Sequence, residues 1–110
     1  MRRWDVYMVE LPAPIGKHPV VVVSPQKIID EAGIKAVNAL LCSSVRGSDR
    51  VGSREVYLDD ADSLEGATGC QCHAMLLIPK QRFAGSSCRG SVSRDRQDQI
   101  RRKLRETFEL

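Results

Sequence analysis

Aromatic side chains are scarce in this chain, which has two Phe, two Tyr and one Trp among 110 residues. Any core must therefore be built mostly from aliphatic side chains. Long apolar runs are missing too: the clearest are Val20–Val23 and Ala74–Ile78. Both fall far short of the roughly 18 residues that a membrane-spanning helix needs, so no membrane association is expected. Net charge is small, with 17 basic and 14 acidic side chains giving a formal +3, too little by itself to mark a nucleic-acid binder. The sequence contains no HExxH, GxxxxGK[ST] or GxGxxG, which removes the usual zinc-protease, nucleotide and dinucleotide signals. The opening Met1-Arg2-Arg3-Trp4-Asp5 leads into neither an apolar stretch nor a small-residue cleavage site, so a cytoplasmic location is expected. The length suits one domain over residues 1–110 and excludes a Rossmann pair, a kinase or a full (β/α)8 barrel.

What is present is unevenly distributed. Residues 1–54 carry eight basic and five acidic side chains, residues 55–88 two and five, and residues 89–110 seven and four. The two ends are positive and the middle is negative, a pattern that suits a basic face shared by the first half and the tail.

Arg3–Glu10 reads as a strand with apolar side chains on both faces. Leu11–Pro19, with three prolines and a glycine, reads as an irregular loop. Val20–Val23 is a β-branched run suited to burial on both sides, stopped by Ser24-Pro25. A short helix or extended turn is expected within Gln26–Ala36. Val37–Cys42, Glu55–Leu58 and Cys70–Ile78 read as further strands, and Ser43–Ser53 as a polar loop. Ser93 can cap a last helix whose Ile100, Leu104 and Phe108 recur every four residues. Short strands at close spacing followed by one amphipathic helix predict a mainly β fold, a small, strongly curved sheet or barrel.

Cys70-Gln71-Cys72-His73 groups three potential ligands, but C-x-C is tighter than a structural zinc knuckle. Strand alternation also turns the histidine away from both thiols. Cys42, Cys70, Cys72 and Cys88 are expected to be reduced structural residues, with no metal or other cofactor. Asp59, Asp60 and Asp62 are expected in an exposed acidic turn. Lys17 and His18 just before one buried strand, and Ser43, Ser44 and Arg46 just after another, remain as the candidate site. Rigid strands would fix these donors while the loops beside them admit the substrate chain. Metal-free cleavage of RNA needs a proton acceptor for the 2′-hydroxyl, a proton donor for the leaving oxygen and a cation for the phosphorane charge. Histidine, hydroxyl and lysine or arginine side chains supply those functions.

Five motifs, in order, resemble the MazF/PemK family of toxins from bacterial toxin–antitoxin modules. Arg2–Leu11 resembles the family opening R-G-D-[IV]-[YW]-x-V-x-L, with Trp4 where glycine is usual. Pro14–Ser24 is similar to G…R-P-V-[LV]-V-[LV]-S, Leu41–Arg46 to P-L-T-S-x-x-R, and Ile78–Phe83 to V-[DP]-K-S-R-L, while Ser91–Leu110 is similar to the last helix. The resemblance implies a small SH3-like barrel with a C-terminal amphipathic helix, working as a homodimer. It also implies endoribonuclease activity on single-stranded RNA and neutralisation by a cognate antitoxin protein. The family's catalytic arginine falls on His18. Its threonine falls most naturally on Ser43, with Cys42 and Ser44 as the alternatives. The implied roles are catalysis by His18 and Ser43 and substrate binding by Lys17, Ser44 and Arg46. Loss of the arginine before Pro19 raises an alternative: a non-catalytic member that acts by binding a protein, such as a gyrase-directed toxin.

Overall fold

The computed structural model describes residues 1–110. Its elements are β1 (Asp5–Leu11), β2 (Gly16–Val22), α1 (Gln26–Asp30), β3 (Ala36–Ser44), β4 (Glu55–Leu58), β5 (Thr68–Pro79), β6 (Cys88–Ser91) and α2 (Arg94–Phe108). The six strands form one antiparallel sheet in the order β4-β5-β3-β2-β1-β6. The sheet curls into a half-barrel. The β3–β5 ladder is irregular at its middle: Leu40 pairs with Met75 but Cys42 pairs with Cys70, so four residues of β5 stand opposite Leu41, and such an irregularity lets a strand bend.

The valine run explains why both faces of the sheet are covered. Val21 and Val23 join Leu40, Cys42, Leu58, Cys70, Cys72 and Ile100 in one core cluster, inside the curl and beneath α2. Val20 and Val22 join Val9, Val37, Ala39, Ile29, Ile78 and Phe83 in a second cluster on the other face. Val20, Val21 and Val22 are each fully buried, as a strand between two layers requires. Ile100 is likewise fully buried, Leu104 packs beside it, and Phe108 is 46% exposed, so the apolar stripe of α2 weakens toward its end.

The resemblance puts Trp4 where glycine is usual, and its backbone is one that glycine would suit. Its φ is 76°, in the left-handed region that L residues avoid. Burial offsets the strain: the indole is 6% exposed, with the Arg3 and Arg101 guanidinium groups 5.0 and 5.2 Å from its centroid.

The sheet edges β4 and β6 do not pair, and the turn after β4 bridges them. The Ser63 hydroxyl donates to Ser91 O (3.2 Å), and Asp62 accepts from the backbone N–H groups of Ser93 (2.9 Å) and Asp59 (3.1 Å). Asp62 is therefore fully buried rather than in an exposed acidic turn, with Arg96 of α2 at 3.8 Å. A carboxylate can be enclosed this way only when donors surround it.

Three other expectations change. Ser93 sits at the N-cap of α2, but its side chain makes no capping bond. The irregular loop shrinks to Pro12–Ile15, because Lys17, His18 and Pro19 belong to β2. Ser43 and Ser44 belong to the end of β3 rather than to a loop.

Candidate functional site

β2 and β3 pair through only three positions, Val20↔Leu41, Val21↔Leu40 and Val22↔Ala39. Beyond Val20 the ladder stops, although β1 continues beside β2 as far as Leu11↔Gly16. Pro19 supplies the physical reason. The Val23 N–H donates to Asn38 O (2.9 Å), so odd-numbered positions of this segment direct their N–H toward β3. Position 19 has that orientation, and proline has no N–H to give. The two strands consequently part where the sequence reads Lys17-His18-Pro19 on one side and Cys42-Ser43-Ser44 on the other.

A cleft of about 520 Å³ occupies the split. Lys17, His18, Ser43 and Ser44 all line it, joined by Cys42, Thr68, Ser63, Glu65 and Arg89. Four of the five expected site residues thus come together. Arg46 does not: it is exposed beyond the end of β3 and is not part of the lining.

Ser43 is half-buried and held. Its Oγ accepts from Gln71 Nε2 at 2.9 Å, which fixes the oxygen and leaves the hydroxyl proton to donate to a bound group. His18 is also half-buried, and its Nδ1 is enclosed without a hydrogen-bond partner in the protein. Such an atom is costly unless a ligand or solvent satisfies it. Lys17 is exposed at the rim, and Arg89 lies 3.5 Å from Glu65 across the same mouth.

Cys42 lines the cleft but belongs chemically to the core. It is fully buried, faces Cys70 in the β3–β5 register, and shares a cluster with Cys70 and Cys72. Hydrogen bonding to Cys42, together with burial, pushes the Cys70 thiol well above the ordinary range. Hydrogen bonding to Cys70 and then burial push Cys72 the same way. These are protonated, unreactive thiols. Cys42 thus lacks the hydroxyl chemistry and the freedom of Ser43. No group of three or more His, Cys, Asp or Glu side chains has the arrangement of a metal site.

Arg89, Thr68 and Glu65 were not legible as site residues. Arg89 lies in β6, a four-residue strand of sequence Cys-Arg-Gly-Ser with no apolar alternation to reveal it. The available signal was only the basic excess of residues 89–110.

The fold recurs among solved structures of low sequence identity. An endoribonuclease in complex with its cognate antitoxin from a mycobacterial species superposes with a TM-score of 0.79 at 19% identity, covering 100% of this chain and 96% of that one. The Mycobacterium tuberculosis toxin MazF-mt6 gives 0.75 at 16% identity, over 96% and 97% of the two chains. A MazE–MazF structure from Deinococcus radiodurans gives 0.74 at 16% identity, over 100% and 96%. None of the curated proteins matches the chain in sequence. The family model described as "PemK-like, MazF-like toxin of type II toxin-antitoxin system" matches residues 2–108. With that match over nearly its whole length, the chain belongs to the PemK-like, MazF-like toxins of type II toxin–antitoxin systems.

Proposed function

We propose that the protein is an endoribonuclease toxin that cleaves single-stranded RNA without a metal ion and is neutralised by a cognate antitoxin. The observation that carries this reading is the split between β2 and β3, where an imidazole, an oriented hydroxyl and a lysine line one cleft. The similar folds of an endoribonuclease bound to its cognate antitoxin and of MazE–MazF support it.

In the proposed reaction a base removes the 2′-hydroxyl proton, the 2′-oxygen attacks the neighbouring phosphorus, and the bond from phosphorus to the 5′-oxygen breaks. An acid protonates that departing oxygen. His18 serves as one of these proton-transfer groups, since imidazole changes charge near neutral pH. Ser43, fixed by Gln71, donates its hydroxyl proton to a phosphate oxygen. Lys17 supplies positive charge to the phosphorane, and Ser44 binds the adjoining part of the strand. Arg46 acts farther out, on RNA leaving the cleft. The substrate places this activity in the cytoplasm.

A homodimer is the proposed working form. Val6, Met8 and Met75–Ile78 are the apolar residues that could supply its interface; Val6 and Ile78 are in the core and Met8 is half-buried, whereas Met75 is 38% and Leu77 is 71% exposed. Those two, on one face of β5, remain to meet a second copy, whereas Leu76 packs against the second core cluster. Light scattering at micromolar concentration should return about twice the 12.2 kDa chain mass.

The test of function is incubation of the purified protein with long single-stranded RNA in excess chelator. Fragments are expected. Intact RNA with folded protein, or recovery of a topoisomerase subunit from lysate without RNA cleavage, would favour the non-catalytic protein-binding reading instead.

A further inference from the structure

The cleft at the β2–β3 split does not end at Lys17. A second recess of about 340 Å³ adjoins it, lined by Met8, Glu10, Lys17, Arg89 and the Gly85–Ser87 turn. Met8, Lys17 and Arg89 line both hollows, so they form one groove with two cations at its waist.

Arg89 reaches this place through a defect in the sheet. Val6 pairs with Gly90 and Tyr7 with Cys88, which leaves Arg89 as the extra residue of a bulge in β6. A bulge re-aims the side chain that it carries. The adjacent Gly90 has φ 132°, and a Cβ there would collide with the Ser63 side chain. The backbone around Arg89 is therefore specified by glycine and by the β4–β6 bridge.

What Arg89 touches in the free protein is an anion. Its Nη1 lies 3.5 Å from Glu65 Oε1, and Glu65 lines the same groove. Both side chains are substantially exposed, at 46% and 86%. An ion pair of that kind is weak and easily exchanged. A guanidinium also matches two oxygens of a phosphate better than one distant carboxylate oxygen.

We propose that Arg89 is a second phosphate-binding residue on the RNA path, and that Glu65 is an internal anion which the RNA backbone displaces. This rests on the RNA-cleaving reading of the cleft. Lys17 and Arg89 hold phosphates on either side of the groove's waist, which binds RNA as an extended strand. Glu65 raises the electrostatic barrier to entry and so tunes affinity downward.

The test is fluorescence anisotropy with an end-labelled, randomised single-stranded 2′-deoxy oligonucleotide, which lacks the 2′-hydroxyl nucleophile and so is not cut. Arg89→Ala should raise Kd about tenfold at low salt and lower the slope of log K against log salt by about 0.7, the contribution of one single-strand phosphate contact. Arg89→Lys keeps the charge and should restore most of that slope. Glu65→Gln should tighten binding by about threefold, since it removes the competing charge. Unchanged Kd and slope in Arg89→Ala, with its thermal midpoint intact, would overturn the proposal, as would weaker binding by Glu65→Gln. RNA cleavage by the parent is measured in parallel. Its absence with the salt-dependent Arg89 effect intact refutes the nuclease and leaves the phosphate site standing. Cleavage without the Arg89 effect refutes the phosphate site alone.

Discussion

β2 and β3 each have two halves that differ sharply. Val20–Val22 and Ala39–Leu41 lie laddered together between two apolar clusters. Lys17–Pro19 and Cys42–Ser44, a few residues along the same strands, part and line a cleft. The packed half fixes the positions from which the open half projects. Substitutions in the first should act mainly on stability, and substitutions in the second mainly on chemistry.

The largest effect is expected in the packed half. Leu40 is fully buried. Leu40→Ala should cost about 2–5 kcal/mol, read as a lower urea midpoint at unchanged slope. Next comes Trp4, whose buried ring and left-handed backbone oppose each other. Trp4→Gly and Trp4→Ala both lose the ring, but glycine tolerates φ 76° and should leave the protein about 1–2 kcal/mol more stable than the alanine variant. Equal stabilities would remove the strain from the account.

In the open half, Ser43→Ala should slow single-turnover RNA cleavage about tenfold, the weight of one hydrogen bond of roughly 1–1.5 kcal/mol. Its urea midpoint should barely move.

The thiols sharpen the boundary between the halves, because Cys42 borders the cleft yet joins the core. Folding raises the pKa of Cys70 and Cys72. In the unfolded chain they ionise above about pH 8.5, where the folded protein still holds the protons. The stability contribution is therefore complete below that pH and falls as pH rises, by about 1.4 kcal/mol per unit for each thiol. Cys70→Ala should flatten that decline. Native-state alkylation should modify the exposed Cys88 and spare the three buried cysteines.

How much of this was readable in the sequence follows the same division. The packed half was legible: the valine run, Val37–Cys42 and Glu55–Leu58 carry β-branched and apolar residues whose burial needs only a sheet. The helix was legible from Ile100 and Leu104. The open half read as loops, because proline argues against a strand, whereas its residues lie in β2 and β3. Only the register shows that Pro19 faces the side of β2 where pairing ends. Burial of Asp62 depends on Ser93, 31 residues away, and the aim of Arg89 depends on a bulge. Neither leaves a local pattern. The resemblance singles out His18 and Ser43 as candidates, while the Gln71 bond that orients Ser43 is visible only in the folded chain.

The central claim is that the β2–β3 split is where RNA is cut, with His18 moving a proton. Single-turnover cleavage of one RNA, in chelator and across pH, for the parent and His18→Ala tests it most directly. The account predicts that the alanine variant loses about 10²–10⁴-fold in rate and the parent's pH dependence, while its urea midpoint stays near the parent's. Equal rates and the same pH profile in the two proteins would contradict it.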